Sequence, residues 1–566
     1  MVYYNTPISR RREKISFAIA QALEKARGAG ALEFAEIPAF VVETPRETAH
    51  GDFATNAALL LSKEAHMNPR AVAQAIAGHF DTIAAQVAEI SIAGPGFINF
   101  RMVAGWQAGL LSEILAEGEK YGASKAGCGQ KVQVEFVSAN PTGELHMGNA
   151  RGAAIGDSLS SLLNMAGFDC QREYYINDAG NQIEKFGFSL EARYLQALGQ
   201  DIPFPEDGYH GDDLPLLMAG LVDEIGDEYL QSAPELRREL LIKYALERKL
   251  KDIREALADF GVQYDCWFSE QSLHESGAVQ DVIDELQSRG WLAEKEGALW
   301  LDCTRFGEEK PEVLVRGNGL PTYYAADIAY HKDKFARGFA TVIDVWGADH
   351  HGHVARMQGA MESLGYRRDQ LEVILMQFVR LIQGGEVIKM SKRTGTYVTL
   401  NELVEEVGRD AARFIFVMRS ADSLIDFDLD LAKQQTMKNP VYYVQYAHAR
   451  FCSIMTAAEG EGLRLPDTSL TEQQLALLTH ESELSLIRRL ADFPDEVIAA
   501  ALQREPHHIA TYLQEVASLF HNFYDKCRVL TDDINLSLAR LSLSSATAIV
   551  IRNGLKALGV SAPQKM

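Results

Sequence analysis

Along residues 131–140, KVQVEFVSAN, Val132, Val134 and Phe136 alternate with Gln133 and Glu135, the two-residue period of a strand. Beyond a loop, Ile155, Leu159, Leu162, Leu163 and Ala166 recur at helical spacing until Gly167 ends the pattern. A strand, a glycine-bearing loop and a helix in that order predict the first unit of a parallel α/β sheet. Residues 170–176, 298–302, 341–346 and 371–376 read as further strands of it. Residues 196–292 are mostly helical and highly charged, as in ELRRELLIKYALERKLKDIREALADFG, and too many for a crossover, so they predict an insertion on the sheet.

The flanks follow other patterns. A helical segment around residues 15–26 precedes AEISIAGPGFINFRM, where Ile90, Ile92, Phe97, Asn99 and Arg101 alternate about a Gly-Pro-Gly turn as a hairpin would. From about Asp430 strand signals vanish, and NPVYYVQYAHARFCSIM and HHIATYLQEVASLFHNFYDKCRVL predict a helical bundle, with GEGLRLPDTSLTEQQ a surface loop opening a helix at Thr471. The expected organisation is a small α+β domain over 1–115, an α/β Rossmann-like domain over 116–430, and an all-α domain over 431–566. Three domains suit 566 residues, since one core stops growing near about 250–300.

Composition narrows the classes. No run approaches the roughly 18 consecutive apolar residues of a membrane span. Gln21 and Glu24 interrupt the apolar stretch near the start, so no targeting signal is expected and the expected location is cytoplasmic. The six cysteines form no CxxC pair, which argues against a disulfide framework or a zinc ribbon. A net charge of -23 argues against indiscriminate nucleic-acid binding and leaves room for a local basic surface.

Neither GxxxxGK[ST] nor GxGxxG after a strand is present, so a nucleotide would need another cradle. The turn ANPTGELHMGNARGA offers one. A helix amino terminus presents unpaired N–H groups and a positive dipole end, Gly143 and Gly148 permit close approach, and His146 could donate to a phosphate oxygen or simply cap the helix. In VIKMSKRTGTYV, Lys389, Lys392 and Arg393 share a short loop with Ser391, which suits a clamp for polyphosphate.

Together, H-x-G-x after a first strand and KMSK about 240 residues later resemble the paired signatures of class I aminoacyl-tRNA synthetases. The resemblance sharpens to arginyl-tRNA synthetases in EFVSANPTGELHMGNARGA, YYINDAGNQ, EDGYHGD, the amino-terminal HGDFATNAALLLSK, GRDAARFIFVMRSADSLIDFDLDLA and the terminal LGVSAPQKM, which span nearly the whole chain. It implies activation of arginine by ATP, with Mg²⁺ carried by the nucleotide and no structural zinc, then transfer to tRNA(Arg). It also implies a monomer with no membrane partner.

Carried over by position, the resemblance makes His146, Gly148 and Asn149, with Lys389, Ser391 and Lys392, the ATP site, and His146, Asn149, Lys389 and Lys392 the catalytic groups. Glu135, Ser138, Asn140, Tyr323, Asp327 and His350 become the arginine site. Carboxylates suit a guanidinium, which has five donors and no acceptor. Phe97 and Asn99 match a contact to the D-loop of tRNA, and Tyr442, Tyr446 and Arg450, near Tyr443 and His448, an anticodon platform. Asp349, His350, His351 and His353 could instead hold a metal. The chain departs from the usual signature at Asn149, where a second histidine is common, yet keeps both KMSK lysines. Two alternatives stand beside this reading. A small-molecule nucleotidyltransferase would lack the helical carboxyl domain, and a non-catalytic tRNA-binding relative would have lost His146, Asn140 or the lysines.

Overall fold

The structure is a computed structural model describing residues 4–566 except 46, 48–49, 210, 212, 308–309, 389–397 and 466–469. Its centre is a parallel five-stranded sheet. Strand β1 (Lys131–Glu135) lies in the middle, and helix α1 (Met147–Met165) leads from it to β2 (Asp169–Ile176), beside which lies β3 (Cys266–Ser269). After helix α2 (Tyr323–Ala336) the chain enters β4 (Thr341–Gly347) on the other side of β1, followed outward by β5 (Leu371–Met376). The order β5-β4-β1-β2-β3 therefore reverses between β1 and β4, and open α/β sheets bind ligands outside the carboxyl ends of their strands at such a point.

Two elements differ from expectation. Residues 298–302 do form a strand, Ala298–Leu301, but it belongs to a separate antiparallel sheet with Leu292–Lys295 and Glu312–Val315. An apolar run marks extended structure without naming its partner. The remaining place in the parallel sheet goes to β3, whose four residues CWFS lie inside the stretch read as helical. That stretch otherwise contains long helices, chiefly Asp213–Ile225 and Pro234–Asp259.

Close packing holds α1 on β1. A Cβ at Gly156 would stand 2.1 Å from Cγ of Phe136, whose ring stacks on Tyr264 at 4.6 Å between centroids. We expect Gly156→Ala to lower stability by about 1–3 kcal/mol through overpacking, read as a lower Tm in a thermal melt.

The amino-terminal part is a four-stranded antiparallel sheet in which Val87–Ala93 and Phe97–Met102 form the expected hairpin. Helix Pro7–Gly28 covers it, with Ile15, Ile19, Ala22, Leu23 and Ala26 buried along one face. Asp52, from the HGDFATN segment, accepts from the Met102 amide at 2.8 Å and pairs with Arg488 at 2.8 Å, joining this sheet to the helical bundle.

The bundle's main helices are Pro440–Gly460, Glu481–Ala491, Phe493–Gln503, His507–Lys526 and Ile534–Ala557. The last is long and apolar enough to cross a membrane by length and composition, although no unbroken apolar run marks it, and most of it is buried as the bundle's core helix. Buried Arg413 links bundle to sheet by donating to the carbonyls of Leu558 and Phe260 and to Asp157 on α1.

Candidate active site

His146 is the N-cap of α1. Its Nδ1 accepts from the amides of Gly148 at 3.0 Å and Asn149 at 3.4 Å, while Oδ1 of Asn149 accepts from the His146 amide at 3.0 Å. This reciprocal capping box decides the tautomer: an Nδ1 that accepts leaves the ring proton on Nε2. Desolvation pushes the His146 pKa down, which favours that neutral form. The cap and the ligand-donor readings of this histidine are therefore compatible, because the cap occupies one nitrogen and fixes the other as a donor. Gly148 is required for the arrangement, since a Cβ there would stand 2.9 Å from Cε1 of His146.

Lys389, Ser391 and Lys392, with Arg393, lie outside the described residues. Their flanks do not. Strand Glu386–Ile388 leads in, and on the far side the Met147 amide donates to the Val398 carbonyl at 3.1 Å and the Leu400 amide to the Leu145 carbonyl at 2.7 Å. The chain returning from the KMSK segment is thus bonded directly to the turn that carries His146.

Across the reversal point, Asn140 donates to Oε1 of Gln182 and accepts from Nδ2 of Asn177, each at 3.1 Å, so the turn after β1 meets the YYINDAGNQ block after β2. Ser138 accepts from the Tyr175 amide at 3.1 Å and donates to Glu135 at 2.8 Å. On α2, the Tyr323 ring lies against Gly180, and Oδ2 of Asp327 is 3.1 Å from Nε2 of His353. Glu270, directly after β3, is almost fully buried, and Asp327 and Asp178 both bear on its charge. The sequence reading missed Glu270 because it missed β3: a carboxylate just past the carboxyl end of a recognised parallel strand is a site candidate.

Burial and the neighbouring Asp327 and Asp178 push the Glu270 pKa up to about 7, against which a Tyr175 hydrogen bond works. A guanidinium binds the ionised form, so binding must expel the proton wherever Glu270 is protonated. Affinity for a guanidinium-bearing ligand at this carboxylate should therefore fall as pH drops below about 7, approaching tenfold per unit, and level off above about 8. Calorimetric titration at pH 6, 7 and 8 checks this, with proton release expected at the lower values and abolished in Glu270→Gln.

Other sites fall out unevenly. His350 is exposed, 3.6 Å from Asp349 and 6.1 Å from the Trp346 ring, and the Asp349–His353 stretch gathers no trio of metal-ligand atoms. Among the described residues one such trio exists, Glu505, His507 and His508 in the bundle. Phe97 is 38% exposed but Asn99 only 5%, so the hairpin offers the ring and not the amide. On Pro440–Gly460, Tyr442 and Tyr446 stack at 6.2 Å, and the Arg450 guanidinium lies 3.9 Å from the Tyr524 ring beside a cavity of about 870 Å³. His448 turns inward, bonded to the Pro563 carbonyl at 2.9 Å.

A parallel sheet with a histidine-capped helix at its switch point, tied to a KMSK segment, defines a class I aminoacyl-tRNA synthetase. Residues 110–206 and 225–439 match the family described as tRNA synthetases class I (R), catalytic domain, residues 13–102 the arginyl tRNA synthetase N terminal domain, and residues 444–566 the DALR anticodon binding domain. The chain belongs to the arginyl-tRNA synthetase family. It is 58% identical over 557 residues to the arginine–tRNA ligase of Heliobacterium modesticaldum, covering 98% of this chain and 99% of that one. It is 57% identical over 555 residues to that of Moorella thermoacetica, with the same coverages. The arginyl-tRNA synthetase of Thermus thermophilus has the same fold, with a TM-score of 0.73 at 24% identity over 98% of this chain and 100% of that one. A small-molecule nucleotidyltransferase accounts for neither flanking domain.

Proposed function

We propose that this chain ligates arginine to tRNA(Arg), with the acidic pocket of Asp327 and Glu270 holding the amino acid and the His146 turn holding ATP. The observation that carries the reading is their juxtaposition at one switch point: the turn after β1 supplies both His146 and Asn140, and Asn140 is bonded to the block that abuts Tyr323.

The guanidinium pairs with Asp327 and Glu270 beside Tyr323, and Asn140, with Ser138 and Glu135 behind it, positions the α-amino and carboxylate end. The arginine carboxylate attacks the α-phosphate of ATP, giving arginyl-adenylate and pyrophosphate; the terminal ribose hydroxyl of tRNA then takes the arginyl group and releases AMP. No side-chain nucleophile is needed, so catalysis lies in alignment and charge stabilisation. Nε2–H of His146 donates to phosphate oxygen, the Asn149 amide and the α1 amino terminus assist, and Lys389, Ser391 and Lys392 attend the leaving pyrophosphate. Mg²⁺ enters with the nucleotide substrate, and His350 borders the pocket.

The same reading divides the chain into a tRNA-contacting domain over 1–115, a catalytic domain over 116–430 and an anticodon-binding domain over 431–566. Phe97 stacks on the D-loop while Asn99 supports the strand beneath, and Tyr442, Tyr446 and Arg450 present an anticodon surface. The enzyme works as a cytoplasmic monomer without structural zinc.

The test is exchange of labelled pyrophosphate into ATP with each of the twenty amino acids, with and without bulk tRNA. Exchange with arginine alone among them supports the reading. A preparation that binds tRNA yet exchanges with none of them overturns it.

A further inference from the structure

Beneath the arginine pocket runs a chain of buried ionic contacts whose Lys334, Asp344 and His331 no step above uses. Nζ of Lys334 donates to Oε2 of Glu135 at 2.5 Å and to Oδ1 of Asp344 at 2.8 Å. The other oxygen of Asp344 lies 2.7 Å from Nε2 of His331, whose Nδ1 faces the Asp327 carbonyl at 2.8 Å. Both imidazole nitrogens therefore face oxygen acceptors. Glu135 continues the chain upward, because its Oε1 accepts from Ser138. The Lys334 and Asp344 side chains are wholly buried, and the Tyr330 ring lies 4.3 Å from Nζ of Lys334. Burial opposes the charge on Asp344, yet Lys334 and His331 hold its carboxyl down to about 2.

Each end of the chain meets one wall of the pocket. At one end stands the turn after β1, where Val137 has φ 70° and Ser138 φ 38°. A left-handed β-branched residue is strained and persists only where its surroundings over-determine it. Glu135, fixed from below by Lys334, supplies that constraint through Ser138, and the turn it constrains carries Asn140. At the other end stands α2, on which Asp327, His331 and Lys334 follow at i, i+4 and i+7 and so share one face. Anchoring His331 and Lys334 to Asp344 on β4 sets how α2 sits on the sheet, and with it the height of Asp327.

We propose that Lys334, Asp344 and His331 are positioning residues that fix the separation between Asn140 and Asp327, and that this separation selects the side-chain length of the cationic amino acid. Buried ion pairs are weak devices for stability, and a role in fixing one geometry accounts for retaining three ionic groups under a substrate pocket. The inference rests on the arginine reading above.

The test uses the full chain with tRNA present. Asp344→Asn keeps the shape of the group and removes its charge; His331→Gln, at the edge of the chain, is the milder second variant. For each, KM is measured for arginine and for ATP, and kcat/KM for homoarginine, one methylene longer, is compared with that for arginine. The expected result is a KM for arginine raised at least tenfold, a KM for ATP within twofold of wild type, and a homoarginine-to-arginine ratio of kcat/KM raised at least fivefold. A lowered Tm with both KM values and the ratio unchanged, or both KM values rising together, overturns the inference by reducing the chain to a structural element. Absence of arginine-dependent exchange in the wild type would instead sink the arginine reading.

Discussion

Asp327→Ala should raise the KM for arginine about 10²–10³-fold, with the KM for ATP unchanged. Truncating one partner of a desolvated, hydrogen-bonded charge pair costs about 2–5 kcal/mol, much of it from stranding the other charge, and each 1.4 kcal/mol is a factor of ten. Here the stranded charge would be a guanidinium facing Glu270, and Asp327 is one of the charges that hold the Glu270 pKa up at about 7. Removing Asp327 therefore lets Glu270 ionise more readily, so the variant should depend less on pH than the wild type, and the defect should be somewhat smaller at pH 7 than at pH 8.5, where wild-type Glu270 is ionised as well. Asp327→Asn should lose less, because an amide oxygen still accepts and the contact with His353 can persist. Arginine titrations of pyrophosphate exchange at pH 7 and 8.5 measure both effects. An unchanged KM in Asp327→Ala would move the guanidinium to a different carboxylate, with Asp178 the next to examine.

How much of this was legible beforehand depended on how local each signal was. The unit β1-loop-α1 could be read because a two-residue period, a glycine loop and a helical period succeed one another within about forty residues. The resemblance of the motifs then supplied Asn140, Tyr323, Asp327 and His146; in the structure Asn140 is bonded to Gln182 of the block whose Gly180 the Tyr323 ring abuts, and Asp327 lies one turn further along α2. Strand β3 was not legible. Four residues cannot display a period, and charged helices surround them, so Glu270 stayed hidden with it.

Sheet membership is a long-range property, which is why Ala298–Leu301 could be recognised as a strand and assigned to the wrong sheet. Lys334 illustrates the same limit for side chains. In YHKDKFA it looks like one more solvated lysine; its burial depends on Glu135 and Asp344, which reach it from two different strands. Asn99 differs in kind. The alternation of the hairpin was read correctly, but the register that pairs Asn99 with both Ser91 and Ala54 puts it on a central strand, where a short amide is enclosed.

The other large effect belongs to His146. His146→Ala should lower kcat for pyrophosphate exchange about 10²–10³-fold, the range seen when one preorganised donor to developing charge is removed, while leaving the KM for arginine near wild type. The substitution also deletes the cap of α1, a loss of about 1 kcal/mol that an activity measurement alone would confuse with the catalytic one. His146→Asn separates the two. Asparagine is among the best N-cap residues, so this variant should recover the lost Tm. Its shorter amide does not extend to where Nε2 sits, so kcat should stay low. Gly148→Ala approaches the same ring from the other side: a Cβ 2.9 Å from Cε1 must push the whole imidazole, Nε2 included, off its cap while keeping the same chemical group. If kcat in Gly148→Ala falls at least tenfold although the histidine is intact, the orientation fixed by the capping box, and not merely the presence of an imidazole, carries the phosphate contact. Recovery of kcat together with Tm in His146→Asn would instead reduce His146 to a cap.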